Sequence, residues 1–206
     1  MKVEQNSAVT AVVFDLGNVL VGWDSYRALT HRMTLKEWLD LAEAMDFASF
    51  NAMADSGVPL DEVIRRASEK DPSYGEVLRE YYERFDDSII GPVPGAAEIV
   101  AELKSTGVRL LGLTNWSDET YHFALPKAPA IALLDSVMVS GREGLAKPDP
   151  RIFERMIERY DLIPHNTVFI DDSPSNVEAA AALGLVSILF TDADALREQL
   201  RRLGVL

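Results

Sequence analysis

The chain has no cysteine. Disulfides, thiolate nucleophiles and cysteine-held zinc are excluded together. No apolar run approaches the roughly 18 residues needed to span a bilayer. Positive charge is also short: 20 Lys and Arg stand against 33 Asp and Glu, a formal net charge of −13. Nucleic acids and anionic membrane surfaces call for broad basic faces, so neither is an expected partner. A small anionic substrate stays compatible, because a few local cations or a metal reverse the local field. Repeats and low-complexity segments are missing as well. Residues Met1–Ser7 lack the charged-then-apolar order of an export leader. The expectation is a cytoplasmic protein, a monomer by default with a dimer compatible.

What is present is an ordinary globular composition, 48% apolar over 206 residues. That suffices for one good-sized core or a domain plus a small insert. The stretch Ala11-Val12-Val13-Phe14-Asp15-Leu16-Gly17-Asn18 is the most telling. Four apolar residues suit a strand buried on both faces, as in parallel sheets. Asp15 then stands at the carboxyl end of that strand, where open α/β sheets place their ligands. Gly17 allows a sharp turn and close approach of backbone to a ligand. Alone, Asp15 reads equally well as a turn residue closing a strand.

Further along, four strands are expected at Val108–Thr114, Ser136–Ser140, Thr167–Asp171 and Val186–Phe190. Helices are expected from Pro94 or Gly95 to Ser105, from Asp118 with breaks at Pro126 and Pro129, over Pro148–Tyr160 and Ser175–Leu183, and through Arg202 behind a cap at Asp192 or Asp194. Regular alternation of strand and helix implies a parallel sheet with helices on both faces. Residues Ser25 to Asp87 show helices and no strand. Thr34 and Glu37 form a capping box for a helix running to Phe50, and Asp55-Ser56-Gly57 breaks it. Two more helices are expected over Leu60–Lys70 and from Ser73 to Phe85. This block reads as a cap over one edge of the sheet's active end, with part of a single core as the alternative.

Four polar clusters fall at strand ends or a helix start: Asp15-Leu16-Gly17-Asn18, Thr114-Asn115, Lys147-Pro148 and Asp171-Asp172. Parallel strands all point one way, so these clusters converge on one crevice. Carboxylate oxygens suit a hard cation such as Mg²⁺. Lysine and threonine suit phosphoryl oxygens, and a carboxylate can act as a covalent nucleophile.

With these four motifs in this order, the chain resembles the haloacid dehalogenase (HAD) superfamily of aspartate-nucleophile hydrolases. The resemblance rests on Phe14–Leu20, Leu113-Thr114-Asn115, Gly144–Asp149 and Phe169-Ile170-Asp171-Asp172-Ser173. It implies an α/β, Rossmann-like, doubly wound core over residues 1–21 and 91–206, with a small four-helix cap over 22–90. It also implies roles. Asp15 would attack phosphorus, Thr114 and the backbone near Asn115 would hold phosphoryl oxygens, and Lys147 would neutralise charge. Mg²⁺ would sit among Asp15, the Gly17 carbonyl, and the motif-four carboxylates, with Asp172 as direct ligand and Asp171 behind it. Asn18 and Trp116 join the expected substrate-binding set. A small phosphorylated metabolite is the implied partner.

The sequence departs from that pattern at Gly17, where most phosphatases of the superfamily carry the aspartate that serves as general acid and base. Three readings follow. One is a phosphatase of the subgroup with Asp-Leu-Gly-Asn at motif one, some members of which act on sugar phosphates such as glucose 1-phosphate. Asp24 is a candidate replacement acid in that reading. The second is a metal-independent 2-haloacid dehalogenase, which needs no acid because halide leaves unprotonated. Asp171 and Asp172 beside Asp15 repel without a cation, which weighs against it. The third is a binding or regulatory protein on the same scaffold. Trp23, Tyr26, Phe47 and Phe50 are further pocket candidates. Asn176 reads as a hydrogen-bonding residue of the site or as a cap of the next helix, with the site preferred, whereas His31, His122 and His165 are expected at the surface or in the cap.

Overall fold

The computed structural model of the chain describes residues 8–206; the expectation for Met1–Ser7 lies outside them. Strand β1 (Ala11–Phe14) is buried along its whole length. Its alternating side chains enter two separate cores. Val12 and Phe14 join one apolar cluster, Ala11 and Val13 the other. Fully burying a side chain of this kind contributes about 1.5–3 kcal/mol, so a strand that is apolar on both sides is stable only at the centre of a covered sheet.

The chain continues through β2 (Val21–Trp23), α1 (Leu35–Met45), α2 (Phe47–Asp55), α3 (Leu60–Lys70), α4 (Pro72–Glu83) and β3 (Ile89–Pro92). It then alternates: α5 (Ala96–Thr106), β4 (Arg109–Thr114), α6 (Asp118–Tyr121), β5 (Ser136–Val139), α7 (Ser140–Glu143), α8 (Pro150–Arg159), β6 (Thr167–Asp171), α9 (Pro174–Ala182), β7 (Val186–Leu189) and α10 (Ala193–Arg202). Five strands form a parallel sheet in the order β5-β4-β1-β6-β7. Phe14 stands opposite Gly112 of β4 and Ile170 of β6, so β1 is flanked by strands reached in opposite directions. One face is covered by Ile99, Val100 and Leu103 of α5 with Leu196 and Leu200 of α10. The other is covered by Ile152, Phe153 and Met156 of α8 with Ala180 of α9. This is the α/β architecture expected from the alternating pattern.

The helical segment differs in detail from its expectation. The helix anticipated from Thr34 to Phe50 divides at Asp46, which adopts φ 60°, ψ 54° and closes α1 by donating its N–H to Ala42 and Glu43 carbonyls. Aspartate tolerates this left-handed conformation better than most residues. Four helices result, not the three read from local pattern alone. Asp71-Pro72 starts α4 directly, with the Asp71 side chain accepting the Ser73 N–H at 2.8 Å. The capping box at Thr34 and Glu37 forms as expected. An antiparallel ribbon of β2 and β3, absent from the sequence reading, joins the two ends of this segment. Its three- and four-residue strands carry Gly22, Gly91 and Pro92, which suppress any strand signal.

Edge-to-face aromatic pairs run from this segment toward the sheet: Trp38 on Phe47, Phe47 on Tyr81, Tyr81 on Phe85 and Phe85 on Trp116. The apolar cluster is continuous along that row. Between Asp118 and Leu134 only α6 and a 3-10 turn at Pro129–Leu133 form, in place of the longer interrupted helix expected. Helix α8 begins at Pro150, capped by Asp149, and not at Pro148, which follows Lys147 through a cis peptide bond. Among the described residues no helix is long and apolar enough to cross a membrane.

Candidate active site

The carboxyl ends of the three central strands, β1, β4 and β6, bring Asp15, Thr114 and Asp171 to one edge of the sheet. The Asp15 N–H extends the ladder by donating to Ile170 O at 2.8 Å. Past it the chain folds back tightly. Leu20 and Val21 both donate to Leu16 O, at 2.8 and 2.9 Å, and Asn18 donates to Val21 O at 2.7 Å. The left-handed residue of this turn is Asn18, at φ 56°, not Gly17. Gly17 contributes differently: a Cβ built there would meet no atom within 4 Å, so the position opens onto free space.

Lys147 is the hub. Its side chain is wholly enclosed, and its ammonium donates to Asp15 Oδ1 at 2.9 Å, Asp171 Oδ2 at 2.6 Å and Leu113 O at 2.8 Å. Three donors meet three acceptors, so the group is fully satisfied. Asn115 fixes the loop that carries it. The Asn115 Nδ2 donates to Lys147 O, and Lys147 N–H donates to Asn115 Oδ1, each at 2.8 Å. The Asn115 side chain is thereby committed to the Lys147 backbone, which leaves untouched the expectation placed on the backbone near Asn115. Asp171 is equally occupied: Oδ1 accepts the Ser173 N–H at 2.8 Å, and Asn176 Nδ2 donates to both carboxylate oxygens at 3.0 and 3.1 Å. Asn176 thus belongs to the site, as its sequence position suggested.

Burial pushes the Asp15 carboxyl up to about 7 against the pull of Lys147, and Asp171 adds to the rise. Asp172 is raised by burial and by Asp171, with Lys147 and the Asn18 amide opposing. Burial works against the Lys147 ammonium, but Asp15 and Asp171 outweigh it and hold its pKa above the ordinary value. Oxygens of Asp15, Asp171 and Asp172 lie within 4.8 Å of one another. Three carboxylates around one ammonium leave an uncompensated charge of about two when all are ionised. An all-oxygen donor set with that deficit fits a divalent hard cation. The Thr114 hydroxyl, at the end of β4, is buried without a hydrogen-bond partner. A buried polar atom with no protein partner is costly, and an incoming oxygen would satisfy it.

Beside this cluster opens a pocket of about 120 Å³, lined by Gly17, Trp23, Asn51, Ala54, Asp55, Tyr82, Phe85, Asn115, Trp116, Ser117 and Thr120. A second hollow, bordered by Phe47, Ala146 and Lys147, shares Trp23, Asn51, Asp55 and Asn115 with it. The two together form one cleft reaching from Lys147 to the aromatic helices. Trp116 Nε1 and the Tyr82 hydroxyl, both from lining residues, are buried without partners. Trp23, Trp116 and Phe47 therefore border the cleft as anticipated. Phe50 does not: it is core, with Lys70 Nζ 4.7 Å from its ring centroid. Tyr26 donates to Met33 O at 3.2 Å and lies in a separate hollow with Asp24 and Arg27. Asp24 caps a 3-10 turn through the Tyr26 N–H at 3.0 Å, so it is not placed to act as the missing acid. His31 pairs with Glu80 and the His122 ring lies tilted against Phe123, both away from the cleft lining.

Asp55 is the residue that local pattern missed. It reads as a helix-breaking aspartate before Gly57, yet Asn51 one turn earlier donates to its Oδ2 at 2.9 Å and both line the cleft. The spacing of Asn51 and Asp55 at i and i+4, on a helix apolar elsewhere except at Ser49, was the available signal.

The family model for haloacid dehalogenase-like hydrolases matches residues 9–184. The sesquiterpene phosphatase astK of Aspergillus oryzae is 26% identical over 94% of this chain and 95% of its own length. A phosphoglycolate phosphatase of Nitrosospira multiformis is 28% identical over 85% of this chain and 80% of its own. Some relatives are longer: the chain spans 36% of the drimenol cyclase drtB of Aspergillus calidoustus, at 26% identity over 93% of this chain. Among solved structures, a HAD family enzyme of Bacteroides thetaiotaomicron in its magnesium complex superposes with a TM-score of 0.74 at 19% identity, covering 95% of this chain and 100% of that one.

Proposed function

The chain belongs to the haloacid dehalogenase-like hydrolases, and we propose that within them it is a Mg²⁺-dependent phosphatase of small phosphate monoesters, working through a phosphoryl group carried on Asp15. The observation that carries this reading is the enclosed Lys147 ammonium bridging Asp15 and Asp171 with Asp172 close by. A metal-free dehalogenase has no use for that third carboxylate, whereas a phosphatase uses the surplus negative charge to hold a divalent cation. The phosphatases among its relatives support the same choice.

Asp15, the Gly17 carbonyl and Asp172 would hold the metal, which when bound supplies positive charge to the phosphoryl oxygens. Asp171 stands behind, because its oxygens are already taken by Lys147, Ser173 and Asn176. Lys147 keeps Asp15 oriented and offsets its charge as the dianionic ester approaches. Thr114 meets a phosphoryl oxygen with its unpartnered hydroxyl. Asp15 Oδ attacks phosphorus in line, the alcohol departs, and water releases phosphate from the acyl phosphate. Fixed geometry and charge compensation carry most of the rate enhancement.

Residues 22–90 act as a cap on the core of 1–21 and 91–206, and the pocket between them takes the alcohol. Its small volume restricts the departing alcohol to a compact group. Aromatic walls with unpartnered polar groups at Tyr82 and Trp116 suit a hydroxylated ring, as in a sugar phosphate. The test is release of p-nitrophenol from p-nitrophenyl phosphate with Mg²⁺, with EDTA and in Asp15→Asn, with 2-chloropropionate in parallel. Activity that needs both Mg²⁺ and Asp15 is expected. Chloride release that survives EDTA would overturn it.

A further inference from the structure

Gly17 leaves the core without a side chain to protonate a departing alcohol, and the space above it is open. The helical segment brings one carboxylate, Asp55, to the same pocket. Asp55 ends α2 and lines the pocket together with Gly17, Asn115 and Ser117. Its place is built, not incidental. Its backbone carbonyl accepts from Ser140 Oγ at 2.5 Å, and the same hydroxyl accepts the Trp116 N–H at 2.9 Å. Gly57 packs so tightly on the core that a Cβ would lie 2.6 Å from Gly141 O. The Leu60 N–H donates to Glu119 Oε1 at 2.8 Å. The end of α2 is thus pinned to the strand-end loops that carry the phosphate-facing residues.

We propose that Asp55 is the general acid and base of this enzyme, standing in for the side chain that Gly17 lacks. The assignment rests on the phosphatase reading above and adds a catalytic residue to it. In the first step Asp15 Oδ bonds to phosphorus, the ester P–O bond breaks with its electrons passing to the leaving oxygen, and the Asp55 carboxyl proton goes to that oxygen. In the second, water attacks the same phosphorus and gives its proton to the Asp55 carboxylate. The P–Oδ bond breaks, and Asp15 and the protonated Asp55 are restored. Asn51 orients the carboxyl through Oδ2 and is a positioning residue.

The surroundings agree. Burial pushes Asp55 up to about 7; the Ser117 amide lowers it, Asp15 across the cleft raises it, and Lys147 opposes. On α4, burial raises the phenols of Tyr81 and Tyr82, the Asp55 charge adds to both rises, and Glu119 adds to that of Tyr82. An acid poised near neutrality is what proton transfer in both directions calls for.

The experiment compares kcat/KM for p-nitrophenyl phosphate, whose leaving group needs no proton, with phenyl phosphate, whose phenol has a pKa of about 10. Both are measured with Mg²⁺ in the wild type, Asp55→Asn and Asn51→Ala. Asp55→Asn is expected to lower kcat/KM for phenyl phosphate by roughly 10²–10⁴-fold, and for p-nitrophenyl phosphate by less than about tenfold. With the latter it should also show a burst of one p-nitrophenol per enzyme, because the second step loses its base. Asn51→Ala, which keeps the carboxyl, moves the same ratio less far, and it carries the test if the Asn variant does not fold. Equal loss on both substrates, or no loss, overturns the assignment of Asp55 while leaving the phosphatase intact. A wild type inactive on both esters overturns the phosphatase reading and this assignment with it.

Discussion

Replacing Lys147 with methionine removes a charge while keeping most of the side-chain volume, so its effect isolates the ion cluster. The ammonium is enclosed, 2.9 Å from Asp15 and 2.6 Å from Asp171. Leaving a buried charge without its partner costs on the order of 3–5 kcal/mol. Asp15 and Asp171 both lose the cation between them here, which favours the upper end. In a chain of this length 1 kcal/mol corresponds to about 2–4 °C in Tm, so a fall of roughly 6–20 °C is expected. The loss has a definite pH dependence. Asp15 is already raised above its ordinary value of 3.8, and losing Lys147 removes the strongest influence lowering it. A carboxyl with a raised folded pKa favours the folded state fully below the unfolded pKa, and that advantage is lost as pH climbs toward the folded pKa. Lys147→Met should therefore lose more stability, relative to the wild type, at about pH 8 than at about pH 5. Thermal melts followed by circular dichroism in EDTA give both numbers. An unchanged Tm at the higher pH, or a larger loss at the lower, would refute the electrostatic reasoning.

Asn115→Ala deletes both 2.8 Å bonds to the Lys147 backbone. It should cost about 1–3 kcal/mol in urea unfolding and lower kcat more than it raises KM. Tyr82→Phe removes a buried hydroxyl that has no partner in the free protein. Its stability should be unchanged or higher by about 1 kcal/mol while KM for a hydroxylated substrate rises; a clear stability loss would mean that the hydroxyl is bonded after all.

Sheet strands and their polar tips were legible because buried parallel strands are uninterrupted apolar runs, and Val12-Val13-Phe14 or Val168-Phe169-Ile170 allow no other comfortable place. The meeting of Asp15, Thr114, Asp171 and Asp172 at one sheet edge followed from parallel direction, whereas Lys147 reaches it from a loop tied to Asn115. What escaped depends on tertiary context. The turn at Asp46 uses neither glycine nor proline, so nothing local announced it. Ribbon β2–β3 is held by pairing between residues some seventy apart and has almost no pattern of its own. Asp24 and Tyr26 follow motif one closely in sequence yet turn away from the cleft, whereas Asp55 reaches it because α2 is docked against Ser140 and Gly141. Closeness along the chain was a poor guide to closeness in the site wherever a helix intervened.

The covalent step is the most direct thing to measure. Enzyme quenched in acid during turnover of p-nitrophenyl phosphate with Mg²⁺ is digested and its peptides are weighed by mass spectrometry. One phosphoryl group on Asp15 is expected, absent in Asp15→Asn and absent in EDTA. Phosphate released steadily with no adduct on Asp15, or with the adduct on another residue, would contradict the nucleophilic role given to Asp15.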